Sequence, residues 1–173
     1  MTKGLPWTYS TVWGLSEPSV QPGDNDHVIV ANRVETAVAG HVIGVRFFRA
    51  LIDSSVHVGF LISDAVDDIA DSVVFYRRPG VSSGAGEWQS RYFRRQHHFA
   101  ASDRFVIGVH FADGQYWRTS DALNGAPMIN GNLRFTTDGD GGSNGLYSYV
   151  RLLPDQTFGS AAYGVDVIFR EDD

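Results

Sequence analysis

The sequence predicts an all-β domain built as a sandwich or a barrel. Three observations carry that expectation. Short apolar runs alternate with period two, the spacing of a pleated strand. Turns rich in Gly and Asp separate the runs. No window of 12 or more residues holds a helical repeat of apolar positions. Many short strands joined by tight turns bury their apolar faces only by layering or closing an antiparallel sheet.

The elements follow in chain order. Residues 1–26 hold Pro6, Trp7, Trp13, Pro18, Pro22 and Gly23, with neither strand nor helix periodicity sustained. They read as an extended N-terminal arm that packs by its aromatic rings and ends in the turn at 22–26. Residues 27–173 then form the sandwich domain. A first strand is expected at 27–34 and a second at 41–49, where Ile43, Val45 and Phe47 share one face. A third and a fourth are expected at 56–62 and 72–77, with the acidic turn 64–68 between them. A Gly/Ser loop at 79–86 precedes an alternating strand at 87–93. Residues 105–111 read as a buried strand, turning at Ala112-Asp113-Gly114 into a hairpin partner at 115–118. Residues 120–145 are loop-rich, with a short strand at 133–135. The last strand spans 163–170, with Tyr163, Val165, Val167 and Phe169 on one face.

Composition narrows the function classes. The chain has 173 residues, enough for one core. Cysteine is absent, which excludes a disulfide scaffold, thiolate metal sites and cysteine catalysis. The net charge of −6 argues against general nucleic-acid binding. The first residues lack a signal-peptide apolar run, and no stretch reaches the ~18 apolar residues of a membrane span. Synthesis in a host cytoplasm without membrane insertion is therefore expected.

Six motifs in order resemble one bacterial family, the domain of unknown function 4082. They are the strand at 38–48 with Gly40, Gly44, Arg46 and Phe47; Gly59-Phe60-Leu61; Gly86-Glu87-Trp88-Gln89; the segment 100–111; Asn144-Gly145-Leu146-Tyr147; and Tyr163-Gly164-Val165-Asp166-Val167-Ile168-Phe169. The resemblance spans residues 28–170. Three departures stand out. Gly164 occupies a position where the family has Trp, Glu87 interrupts a Gly-Trp pair, and residues 60–62 lack a Leu-Trp pair. The resemblance implies a jelly-roll-like antiparallel β-sandwich. It also implies a setting in bacterial surface proteins and phage tail proteins, similar to that of carbohydrate-binding modules. It implies no catalytic residues.

The residues themselves give no enzyme. No nucleophile elbow is present. His97 and His98 are adjacent and would point to opposite faces of a strand, which suits no shared metal. Asp67-Asp68 and Asp138-Gly139-Asp140 sit in turns, where acids ordinarily serve solvation and turn chemistry. Asp138, Asp140 and Asn144 make a candidate structural calcium loop. The twelfth residue counted from Asp138 is Tyr149, so the loop is no EF-hand.

Two binding surfaces are expected. Arg77, Arg78, Arg91, Arg94, Arg95 and Arg104 face only Glu87 and Asp103 between residues 77 and 104, a local balance of +4. With Trp7 and Trp13 of the arm, Arg77, Arg78, Arg91, Arg94 and Arg95 are the interface candidates, since interfaces favour Arg and aromatic rings. Tyr116, Trp117, Tyr147 and Tyr149 lie near loops and are the glycan-binding candidates, able to stack on pyranose faces. The expected function is that of a non-enzymatic structural protein of a tailed-phage particle, a minor tail or capsid-decorating component located in the virion. Its partners would be other virion proteins or copies of itself, met through the arm and a sandwich face. The alternative is a carbohydrate-binding or adhesion module for a cell-surface glycan.

Overall fold

The computed structural model describes residues 8–21, 24, 26–63, 68–77, 79, 86–140, 142–150 and 153–172. Trp7, Arg78, Asp67, the Pro22-Gly23 turn and the loop at 80–85 fall outside these residues. The strands are β1 (Val28–Thr36), β2 (Gly40–Ala50), β3 (His57–Ser63), β4 (Asp68–Phe75), β5 (Gly86–Phe99), β6 (Arg104–Phe111) and β7 (Arg118–Thr119). They continue as β8 (Met128–Asn130), β9 (Leu133–Phe135), β10 (Leu146–Ser148), β11 (Gln156–Thr157), β12 (Ala162–Tyr163) and β13 (Val165–Glu171). Among the described residues no helix is long and apolar enough to cross a membrane.

The strands form an antiparallel β-sandwich. The larger sheet runs β11-β10-β1-β6-β3-β4, with β9 also on β1 and β8 on β9. The smaller sheet runs β13-β2-β5, and β12 pairs with β7. The chain changes sheet from β1 to β2, β2 to β3, β4 to β5 and β5 to β6. Alternation puts Val28, Val30 and Val34 of β1 on the inner face, with Ile107 and Val109 of β6 and Val45 and Phe47 of β2. Phe47 is a hub, its ring 4.7 Å from Phe75 and 5.2 Å from Phe111 in edge-on contacts. The outer face of the larger sheet also buries a patch of Ile29, Ala31, Phe60, Ile62, Val106 and Leu146, against which Leu153 packs.

Several elements depart from the sequence-based reading. Residues 115–117 do not fold back on β6 as a hairpin. Arg118 and Thr119 pair instead with Tyr163 and Ala162 of β12. The final strand is split at Gly164, whose N–H is taken by the Trp117 carbonyl (2.7 Å) rather than by a ladder partner. β5 is 14 residues long, twice the predicted length. Between the buried Phe93 and Phe99 its second half is polar and mostly exposed, so no alternation marks it, yet it pairs with β2 beyond a bulge.

The described part of the arm is docked on its own domain. Ser10 exchanges both backbone hydrogen bonds with Phe169, and Val20 does so with Arg118. Trp13 is 5% exposed and belongs to the main core, its indole N–H donating to the Tyr163 carbonyl at 3.0 Å. A Cβ at Gly164 would come within 2.9 Å of Pro18 Cγ, so a tryptophan there is incompatible with this course of the arm.

Candidate functional site

At one end of the sandwich, β1 begins and β6 and β10 finish. There Tyr116, Tyr147, Tyr149, Phe158 and Tyr163 gather with Arg118 and Asp24 around a cavity of about 370 Å³. That volume lies toward the lower end of small-molecule sites, roughly 300–1,000 Å³. Each residue arrives for a local reason. β12–β7 pairing fixes Tyr163 opposite Arg118. β10 pairing sets Tyr147 opposite Val30. Tyr149 follows one pleat later, its ring 5.7 Å from Tyr147. Tyr116 and Tyr163 are buried, 5.6 Å apart, and give the cavity a fixed aromatic side. Tyr149 and Phe158 are 37% and 56% exposed, so part of the aromatic lining is open to solvent.

Asp24 is held by tight backbone packing. Gly114 has φ +68°, and a Cβ there would come within 2.2 Å of the Asp24 carbonyl and 2.5 Å of the Asp26 carbonyl. Only glycine lets the turn after β6 approach this segment so closely. The Tyr149 hydroxyl donates to the Asp24 carboxylate, and the His27 ring meets the Tyr149 carbonyl at 2.8 Å. The bond to Asp24, then burial and the nearby negative charge, push the Tyr149 phenol far above its ordinary range. Burial does the same to Tyr163, while Arg118 pulls the other way. The phenols of Tyr149 and Tyr163 are therefore neutral at neutral pH.

Arg118 is the charge inside the site. Its guanidinium carbon lies 4.6 Å over the Phe158 ring. Its Nε and Nη1 are buried with no acceptor among the described residues. A buried donor left unpaired costs roughly 1–3 kcal/mol. The site thus combines aromatic faces, a carboxylate acceptor and unsatisfied cationic donors.

Of the four glycan candidates, Tyr116, Tyr147 and Tyr149 converge here and Trp117 does not. The Trp117 ring packs 5.4 Å from Phe48 on the smaller sheet. Sequence reasoning missed Arg118, Asp24, Phe158 and Tyr163. Arg118 directly follows the aromatic pair Tyr116-Trp117, the one local signal that would have raised it. The other three are brought in by long-range pairing, which no local pattern shows.

The interface candidates fall in separate places. Arg91, Arg94 and Arg95 are exposed on β5, the edge of the smaller sheet, and Arg77 is exposed beyond β4. Arg104 lies on the other sheet, paired with Glu35 at 2.7 Å, so the basic run of the sequence is not one patch. Trp13 is occupied within the chain's own core and is no surface anchor. Trp7 and Arg78 lie outside the described residues.

The calcium candidates are turned to other uses. Asn144 is fully buried and its carbonyl oxygen accepts from the N–H groups of Arg33 and Gly145. Asp138 accepts from the Asn144 N–H and the Ser160 hydroxyl. Asp140 faces Arg104 and Arg134 at 3.6 and 3.5 Å. These oxygens meet donors and cations of the protein, so the loop is pinned by hydrogen bonds where the sequence suggested a cation cage. His97 and His98 reach different acids, Asp71 and Asp172.

A second polar cluster is buried between the sheets. Asp53, His57 and Asp113 bring one ligand-type atom each within 4.8 Å of one another. Asp53 already holds the His57 ring at 2.6 Å and the Arg49 guanidinium at 3.3 Å. Arg49 supplies the cation that such a cluster needs, and donates further to Tyr76, Gln89 and Ser55. Burial pushes the Asp53 carboxyl up, but His57, the Ser55 N–H and Arg49 outweigh it and hold it low. The arrangement is an ion-pair network that ties β2 to β3.

No curated protein matches the sequence. One family model matches residues 16–165, from the later part of the docked arm to the first residue of β13. It takes in the first five of the six motifs and the first three residues of the last. The chain belongs to the family described as domain of unknown function (DUF4082).

Proposed function

We propose that this domain is a carbohydrate-binding module whose site is the tyrosine-lined cavity. The observation that carries the reading is the convergence of five aromatic side chains with Arg118 and Asp24 on one cavity. Flat rings match the apolar faces of pyranoses, while a carboxylate and a guanidinium match their hydroxyls. The work is recognition, and no residue is asked to perform chemistry. A glycan array probed with the full chain and with Tyr147→Ala tests this. Binding by the parent and its loss in the variant, at unchanged melting temperature, support the reading. Silence of the parent across the array overturns it.

The strand β5 favours a second reading, that of a structural component of a particle. Arg91, Arg94 and Arg95 are exposed on this edge strand beside Tyr92, 45% exposed. An unpaired edge with arginine and an aromatic ring suits a neighbouring subunit or copy. Native mass and co-sedimentation with particles test it; a monomer that stays in the supernatant counts against it.

A further inference from the structure

The geometry points to an acidic saccharide as the ligand, with its carboxylate on Arg118 and its hydroxyls toward Asp24. This rests on the carbohydrate reading of the same cavity and adds the chemical class of the sugar. Arg118 and Asp24 both line the cavity. No described residue accepts from the Nε and Nη1 groups of Arg118. It is held in place from one side by the Phe158 ring, 4.6 Å away, and by the backbone pairs Arg118–Tyr163 and Arg118–Val20. A guanidinium fixed in this way needs an acceptor, and a carboxylate satisfies it most strongly, by charge as well as geometry.

Among the described residues the lining carries one other formal charge, Asp24, and that carboxylate already accepts from the Tyr149 hydroxyl. It is committed to Tyr149 and forms no ion pair with Arg118. The opposite signs of Arg118 and Asp24 favour one orientation of a charged ligand. A sugar carboxylate belongs at Arg118 and is repelled from Asp24. Hydroxyl donors belong at Asp24. Between them Tyr116 and Tyr147 offer the ring faces. A neutral sugar uses the rings and Asp24 but leaves the Arg118 donors with hydroxyl oxygens, a weaker acceptor.

The test is an array of oligosaccharides ending in uronate or sialate, each beside its carboxyl-reduced neutral form. It is read with the full chain, Arg118→Gln and Arg118→Lys. The parent is expected to bind at least one acidic form ~10–100-fold more tightly than its reduced partner, the effect of one charge-assisted contact. That preference should shrink as salt is raised. Arg118→Gln should abolish the preference, and Arg118→Lys should recover part of it. The melting temperatures of both variants check that the fold is kept. If acidic and reduced forms bind equally and Arg118→Gln changes neither, the acidic class is wrong while the carbohydrate reading stands. If no sugar of either form binds, both fail.

Discussion

Two arginines, each beside an aromatic ring, show what separates structure from recognition in this fold. Arg46 lies under the docked arm, its guanidinium carbon 4.3 Å over Trp88. It donates to Asp166 at 2.8 Å, to the Thr11 hydroxyl at 2.9 Å and to the Gly14 carbonyl at 2.8 Å. Asp166 in turn accepts from the N–H groups of Val12 and Trp13, both at 2.9 Å. Burial pushes the Asp166 carboxyl up, and Arg46 with those two N–H groups pulls it back. Arg118 has its ring as well, Phe158, but two of its donors lack a partner among the described residues. The matched arginine staples the arm to the sandwich. The unmatched one has capacity left for a ligand. A residue's worth to the fold and its availability for binding thus run in opposite directions.

Substitutions at the two places should separate cleanly. The largest effects belong to the arm side. Asp166→Ala removes the counter-charge of Arg46 and the acceptor of the Val12, Trp13 and Val167 N–H groups, and should cost about 3–5 kcal/mol in urea unfolding. Trp13→Ala opens a cavity beside Phe135 and Trp88 and should also cost about 3–5 kcal/mol. Arg118→Gln should leave the unfolding midpoint near that of the parent. A large destabilisation at Arg118 would erase the contrast.

Gly114→Ala should fall between these two kinds of effect. Its φ of +68° and the approach of the Asp24 carbonyl strain any side chain there. The expected cost is about 1–3 kcal/mol, accompanied by loss of saccharide binding as the segment carrying Asp24 shifts. Unchanged binding would mean that Asp24 is not part of the recognition surface.

A smaller effect is expected from pH. Burial, and then the neighbouring His27 and His57, hold the His110 imidazole below its ordinary value. As pH falls below about 6.5 the unfolded chain takes the proton first, so stability declines until the folded imidazole is also protonated. Asp53 is held low, so its contribution is present above about pH 4 and is lost below it. Melting temperature followed from pH 7.5 to pH 5, roughly the imidazole range, should drop in the parent and drop less in His110→Gln. Equal slopes would remove His110 as the cause. The smallest effect belongs to Arg94→Gln on β5, which should not move the melting temperature and should alter native mass only if that edge is a subunit contact.

Much of the fold is legible in the sequence because alternation is a local signal. The strands at β1, β2, β3 and β6 are read from their apolar residues almost to the boundary. The pair β7–β12 and the strand β8 are not, since strands of two or three residues leave no period to count, although β9 is read at 133–135. The arm's fate is equally hidden. Its indole, Trp13, is held by partners more than 100 positions away, Asp166 and Tyr163. The site was half visible. Tyr116, Tyr147 and Tyr149 stand out as loop aromatics, but Arg118 gains its meaning only from partners it lacks in space. The calcium loop misleads for a related reason: oxygen-rich composition does not say that Asn144 is already filled by backbone donors.

The most direct test of the central claim is an amide-resolved NMR titration of the full chain with the tightest saccharide from the array. The cavity account predicts shifts clustered at Tyr116, Arg118, Tyr147, Tyr149 and the segment around Phe158, with the arm face around Trp13 and Trp88 unmoved. Shifts clustered on the arm face or along β5, with a silent cavity, would contradict it.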